Sequence, residues 1–379
     1  MCACSLDLGT MFLVKGEVGS DNQPEFTVER NAFLEASSSE DTLETLKDNN
    51  WSYAQHGDKY YILGEDAIKL KNLLTVNSSD SGIVMTQVGQ LRRPMKDGIL
   101  NTGEEKLSVA IIQKLIANLL GPPSQKGEVL CFCAPGNPVD KSLTVVFHKT
   151  MLTSFLKSLG YDVECIPEAL AIIFSERPVA EDEDGEAPFS GISFSFGAGM
   201  MNCCMSWKKM PLINFSVAQS GDWIDQEAAK TAGIDVAAMT RYKEKHFDMT
   251  NVDYSDMRQA SLDIFYQNMI EHALTNFAHK FNQLDNQIES PLEIIVAGGT
   301  STVPGFMDKF KEVMGGLDLP FKVKSIRHAE NPFYTVSNGC LLKAIASEKK
   351  KSDKIIDSMG GDEEPKTEDN KDRKIKIKR

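Results

Sequence analysis

A DLGT turn at Asp7 to Thr10 and an FGAG turn at Phe196 to Gly199 each set glycine between two short apolar runs. Turns of this kind can aim successive backbone N–H groups at one anion, and glycine is needed because a Cβ would hold the backbone away from it. The N–H groups of Gly9, Thr10 and Met11 would form one phosphate cradle, and Gly197, Ala198 and Gly199 an opposing one. Asp7 is placed to hold a water of a bound Mg²⁺, an ion that favours carboxylates and keeps part of its hydration shell. The usual carboxylate before the second turn is missing, and Ser195 stands there. Glu168 lies at a strand-to-helix junction in IPEAL, a position suited to orienting an attacking water. In AGGTSTVPGF, Gly298 and Gly299 are followed by Thr300 and Ser301, where a flat base or ribose could lie on bare backbone. Each motif alone is common: an ordinary turn, a packing glycine pair, a helix cap. Their occurrence in this order is what carries weight.

These residues need a scaffold that brings distant segments together. CSLDLGTMFLVKGEV reads as two strands joined at Gly9, and YYILGEDAIKLKNLL as a strand, a turn and a short amphipathic helix, with NSSDSG a loop beyond it. TGEEKLSVAIIQKLIANLLG has helical apolar spacing, with Glu104 and Glu105 in its first turn and Gly121 past its end. A buried strand, GEVLCFCAPG, precedes an expected helix in VDKSLTVVFHKTMLTSFLKSLG, and YDVECIPEALAIIFSERP reads as strand then helix. The acidic AEDEDGEAP is expected to be a surface loop. A second strand–turn–strand begins at Gly191, followed by helices in GDWIDQEAAKTAGI and SLDIFYQNMIEHALTNFAHKFNQL. A strand, glycine turn and helix in PLEIIVAGGTSTVPGFMDKFKEVM and a closing helix in NPFYTVSNGCLLKAIASE complete the pattern. From about Ser347 the chain is charged and poor in aromatics, as expected of a disordered tail. The repetition suggests two similar α/β domains facing one another across a cleft.

Composition narrows the function classes. The chain has 379 residues, enough for two domains, and no apolar run approaches the roughly 18–20 residues of a membrane span. The start, MCACSLDLGT, lacks the basic and apolar regions of a signal peptide, so a cytoplasmic protein is expected. A net charge of −13 argues against nucleic-acid binding. The eight cysteines show no paired CxxC spacing for zinc, and Cys131 and Cys133 suit a buried strand. The terminal KIKIKR could touch a partner or an anionic membrane, although such ends are more often solvated.

With these motifs in place the chain resembles the actin-like ATPases, and within them the bacterial MreB family most. LDLGTMFLVKGEV is similar to the first phosphate segment of that family, and RRPMKDGIL (Arg92 to Leu100) to its characteristic domain-I stretch. CAPGNPVDK, IPEAL, VAGGTSTVPGF and NPFYTVSNGCLLKA match further family segments, so the likeness runs from about Leu6 to Ala346. The resemblance implies a two-domain actin-like ATPase fold: domain I over 1–167 completed by 332–346, domain II over 168–331, and a tail over 347–379. It implies ATP or ADP with Mg²⁺ in the cleft, Asp7 on the metal's waters and Glu168 on the catalytic water. Gly9, Thr10, Gly197 and Gly199 would hold phosphates, and Gly298 to Ser301 the adenosine. Lys243 and Glu244 fall where family members carry a ribose-binding Lys or Glu, although surface salt bridges are the commoner use of such residues.

Three departures matter. The family's second loop reads D-x-G-x-G-T, whereas Ser195 and Met200 stand at its ends here. Met11 and Phe12 replace small polar residues after the first loop, and no apolar membrane-touching segment is present beyond MFLV. The expectation is an ATP-binding, slowly hydrolysing, filament-forming prokaryotic cytoskeletal protein. The rivals are a non-hydrolysing scaffold, favoured by Ser195 and Met200, and a chaperone-like ATPase, favoured by GGTSTVPGF. A sugar kinase fits less well, since no polar sugar-site cluster accompanies the loops.

Overall fold

A computed structural model describes residues 3–76, 88–183, 185–285 and 288–359. Two five-stranded sheets share one strand plan. In the first, the spatial order is Pro24–Arg30, Phe12–Val18, Cys4–Leu8, Val129–Ala134 and Asp162–Pro167. In the second it is Met210–Val217, Met201–Trp207, Gly191–Phe196, Leu292–Ala297 and Val323–His328. In each, an antiparallel three-strand meander comes first, and two strands are then added in parallel beside its opening strand. Strands covered on both faces read as continuous apolar runs rather than as alternations. VLCFCA and GISFSF accordingly are buried at every position.

The two sheets are joined by two crossing helices. Glu168–Glu176 leaves the end of the first sheet, and Thr335–Met359 packs against it. Gly339 sits at their crossing, where a Cβ would run into the backbone carbonyl of Ala171. Only glycine permits so close an approach. Between the sheets and these helices Cys131, Cys133, Ile172, Ile295 and Cys340 make one small core. Larger cores lie on the sheet faces, one rich in phenylalanine around Phe194, Phe196 and Phe310, the other around Leu6, Leu13, Ile112 and Phe132.

Several elements differ from the sequence expectation. The helix expected from Val139 begins at Val146, because residues 136–140 are drawn onto the second sheet's edge strand. There Pro138 bridges to Ser216, Val139 N–H donates to the Ser216 carbonyl, and the Asp140 carboxylate accepts from Ala218 and Gln219 N–H and meets His272. The helix after TGEEKL starts at Ser108, leaving Glu104 and Glu105 in the turn before it, and Glu105 pairs with Arg92 at 2.9 Å. Most of the acidic insert forms a hairpin, Val179–Asp182 with Gly185–Pro188, rather than a loop. The closing helix runs to Met359, past the expected boundary at Ala346, since SEKKKSDK is rich in helix-favouring residues. Lys343 and Lys351 also tie it to Glu164 and Asp162. NSSDSG, Cys2 and the terminal KIKIKR lie outside the described residues. A four-stranded sheet, Tyr53–His56, Lys59–Leu63, Phe33–Ser37 and Val88–Arg92, is inserted between the first meander and its parallel strands.

Candidate functional site

The ends of both meander hairpins open on a single cleft of about 420 Å³. Asp7, Gly9, Thr10 and Met11 line it from the first hairpin, Ser195, Gly197 and Ala198 from the second. Glu168 enters from the connecting helix, Lys243 and Glu244 from the helix Val236–His246, and Gly298, Gly299 and Thr300 from the turn after Leu292–Ala297. Thirteen of the fifteen residues singled out above therefore meet in one cavity. Gly199 and Ser301 do not line it. Gly199 is packed against Thr10 and Gly98, where a Cβ would strike the Gly98 nitrogen at 2.5 Å. Ser301 turns away, donating to the Gly298 carbonyl at 2.7 Å and meeting His328 Nε2 at 2.8 Å.

The glycines act through backbone geometry. A Cβ on Gly9 would lie 2.7 Å from the Phe12 carbonyl, and one on Gly197 would lie 2.8 Å from that of Met200, so both glycines are required for the hairpins to close. Gly298 has φ +94°, and a Cβ there would collide with the Phe196 carbonyl. The Gly197 carbonyl accepts from Gly221 N–H (3.1 Å), Ser220 Oγ (2.6 Å) and Thr300 Oγ1 (2.7 Å). The Ala198 carbonyl accepts from Asp222 N–H at 2.7 Å. The Gly197 N–H is itself taken, donating to the Met200 carbonyl at 3.1 Å, so the second loop lacks one of the three anion donors expected of it.

Asp7 and Glu168 are the two half-buried carboxyl groups where the hairpins and the connecting helix meet. Burial pushes the Glu168 carboxyl up to about 8, with the negative charge of Asp7 adding to the shift and the Ser195 hydroxyl opposing it. Burial likewise raises Asp7, to about 6, against the Cys133 thiol that donates to its Oδ1 at 3.3 Å. Ser195 does not simply leave a gap where a carboxylate is expected. Its Oγ donates to Glu168 Oε1 at 2.8 Å, supplying a neutral donor to a carboxyl already strained by burial. Glu168 is also no helix cap, since Pro167 occupies the capping position.

Lys243 differs from expectation. It is buried rather than a surface residue, ion-paired with buried Asp225 at 2.7 Å and donating to the Gly221 carbonyl at 3.3 Å. Glu244 is exposed on the cleft wall, as is Lys245. Sequence reading missed Asp222, Phe12 and Phe333. Asp222 lines the cleft and pairs at 3.0 Å with Arg93 of the RRPMKDG segment, a link between the halves that no local spacing announces. Phe12 meets Phe333 edge to face at 5.3 Å, with Arg30 stacked over the Phe12 ring, so the residue that departs from small polar types builds an apolar wall. Met200 likewise packs onto Gly98, at 2.8 Å from where a Cβ would stand.

The cavity suits a nucleotide with a divalent cation. Its volume falls within the range of ligand pockets. A Cβ on Gly299 would project into open space, so that glycine keeps room free on the cleft wall. Asp7, Glu168, Asp222 and Glu244 outnumber Lys243 and Lys245 on the lining, and Lys243 is already paired. A bare polyphosphate would meet net negative charge, whereas one carrying Mg²⁺ would not. Among the described residues there is no group of three or more His, Cys, Asp or Glu that could cage a metal.

Comparison with curated protein sequences gives no match. The family model described as Volactin matches residues 2–344. Among solved structures, a MamK double helical filament covers 90% of this chain and 99% of its own at TM-score 0.59 and 13% identity. MreB5 of Spiroplasma citri bound to AMPPNP covers 94% and 98% at TM-score 0.55 and 13% identity. Its ADP-bound form covers 93% and 98% at TM-score 0.53 and 14% identity. The likeness extends over nearly the whole of each chain, and the fold is actin-like.

Proposed function

The chain belongs to the Volactin family, and from that membership and the geometry of the cleft we propose that it is an ATP-binding, slowly hydrolysing actin-like protein that assembles into filaments in the cytoplasm of a prokaryotic cell. The observation that carries this reading is the convergence of Asp7 and Glu168 with both glycine hairpins on one cleft. The nucleotide and filament assignments draw support from similar structures, MreB5 bound to AMPPNP and the MamK filament. Residues 1–167 with 332–346 would form one domain and 168–331 the other, closing about the two crossing helices.

Each residue would contribute a defined part. The N–H groups of Gly9, Thr10 and Met11 on one side and of Ala198 on the other would hold the phosphates. Asp7 would hold waters of a Mg²⁺ ion, whose charge would offset that of the polyphosphate. Glu168 orients the attacking water, and ionising it first requires removing a proton that burial and Asp7 favour keeping. Gly298, Gly299 and Thr300 leave space for the nucleoside, beside the Phe12–Phe333 wall. A second reading, a nucleotide-binding scaffold that does not hydrolyse, is favoured by the bond between Ser195 and Glu168.

Assembly is tested by high-speed sedimentation. Protein with ATP and Mg²⁺ should pellet in a concentration-dependent way, and far less should pellet with EDTA. Protein that stays in the supernatant in every condition, at concentrations up to about a hundred micromolar, is not a filament former.

A further inference from the structure

Cys133 lies in the strand Val129–Ala134, paired beside the central strand that carries Asp7, and is almost completely buried. Its Sγ donates to Asp7 Oδ1 at 3.3 Å, and among the described residues this is the one hydrogen bond recorded for the Asp7 carboxyl. On its other side Cys133 meets Cys340 of the closing helix. The thiol is therefore packed against the helix on one side and directed towards the carboxyl on the other. A half-buried carboxyl with one oxygen held from the core side has its other oxygen left for the cleft that it lines.

We propose that Cys133 is a positioning residue: the Cys133–Asp7 hydrogen bond fixes the Asp7 carboxyl in the orientation that meets the hydration shell of a nucleotide-bound divalent cation. The inference rests on the nucleotide reading above and adds a residue to it. Ser195 plays the matching part for Glu168, so Asp7 and Glu168 each accept from a neutral donor on a buried strand position. A rotamer held by one weak donor contributes modestly. Removing it should cost about five- to tenfold in the affinity that the metal adds.

The test titrates Mg²⁺ into protein with a fluorescent ATP analogue and compares the affinity with that in EDTA. Cys133→Ala and the bulkier Cys133→Val should lose about five- to tenfold of the Mg²⁺-dependent gain, with EDTA affinity unchanged. Cys133→Ser, which keeps a donor, should stay within about threefold of wild type. Cys340→Ala, which disturbs the same core without touching Asp7, should leave the gain intact. An unchanged gain in both Cys133→Ala and Cys133→Val, or an equal loss in Cys340→Ala, overturns the positioning role and leaves the nucleotide reading standing. Wild-type protein that gains nothing from Mg²⁺ while still binding the analogue overturns this inference alone. No analogue binding at all overturns both.

Discussion

Glu168→Gln is expected to lower ATP turnover by about two to four orders of magnitude, the usual worth of a positioned acid–base group. The amide keeps the size of the side chain and can still accept from Ser195, so the fold and nucleotide binding should survive. The pH dependence gives a second readout. In the folded protein Glu168 keeps its proton up to about pH 8, whereas the unfolded chain releases it near its ordinary value of 4.5. The folded state therefore binds more protons across that window, and its stability falls as pH rises through it. Glu168→Gln removes this term, so the variant should gain melting temperature over wild type between pH 5 and pH 8.5. Wild-type kcat/KM should rise over the same range as the free protein's Glu168 ionises, and the residual rate of the variant should not. Undiminished turnover in Glu168→Gln would take this residue out of the chemistry.

Ser195→Asp is expected to raise turnover about ten- to a hundredfold, the equivalent of one restored charge-assisted hydrogen bond of roughly 1.5–3 kcal/mol in the transition state. The gain should carry a cost without metal. Ser195 Oγ now lies 2.8 Å from Glu168 Oε1 as a donor, and a carboxylate there would add a third carboxyl group beside Glu168 and Asp7. The variant should melt below wild type in EDTA and recover most of the difference with ATP and Mg²⁺. Reduced melting temperature in both conditions with no gain in rate would support the scaffold reading, since the site would then lack more than the missing charge.

Local sequence signals revealed those parts of the site that are made by backbone. Glycines between apolar runs marked both hairpins and the turn at Gly298, and the repeat of strand–turn–strand foretold two sheets with one plan. Partners far apart in sequence were not legible. Cys133 looked like core filling, Ser195 like a loss, and Lys243 like a surface charge, because the groups that define them lie 126, 27 and 18 positions away. Residues 139–145 have helical apolar spacing, yet they are held out of the helix by a bridge to Ser216 that only the assembled halves can provide. Boundaries failed where composition misled, as in SEKKKSDK, whose charge suggests solvation and whose residue types also favour a helix.

The grip on a metal-bearing nucleotide can be measured directly by titrating ATP into the purified protein in a calorimeter, once with Mg²⁺ and once with EDTA. A single saturable site should appear with Mg²⁺, and its affinity should fall by about one to two orders of magnitude when the cation is removed. Titration without heat in the presence of Mg²⁺, or equal binding in EDTA, would contradict it.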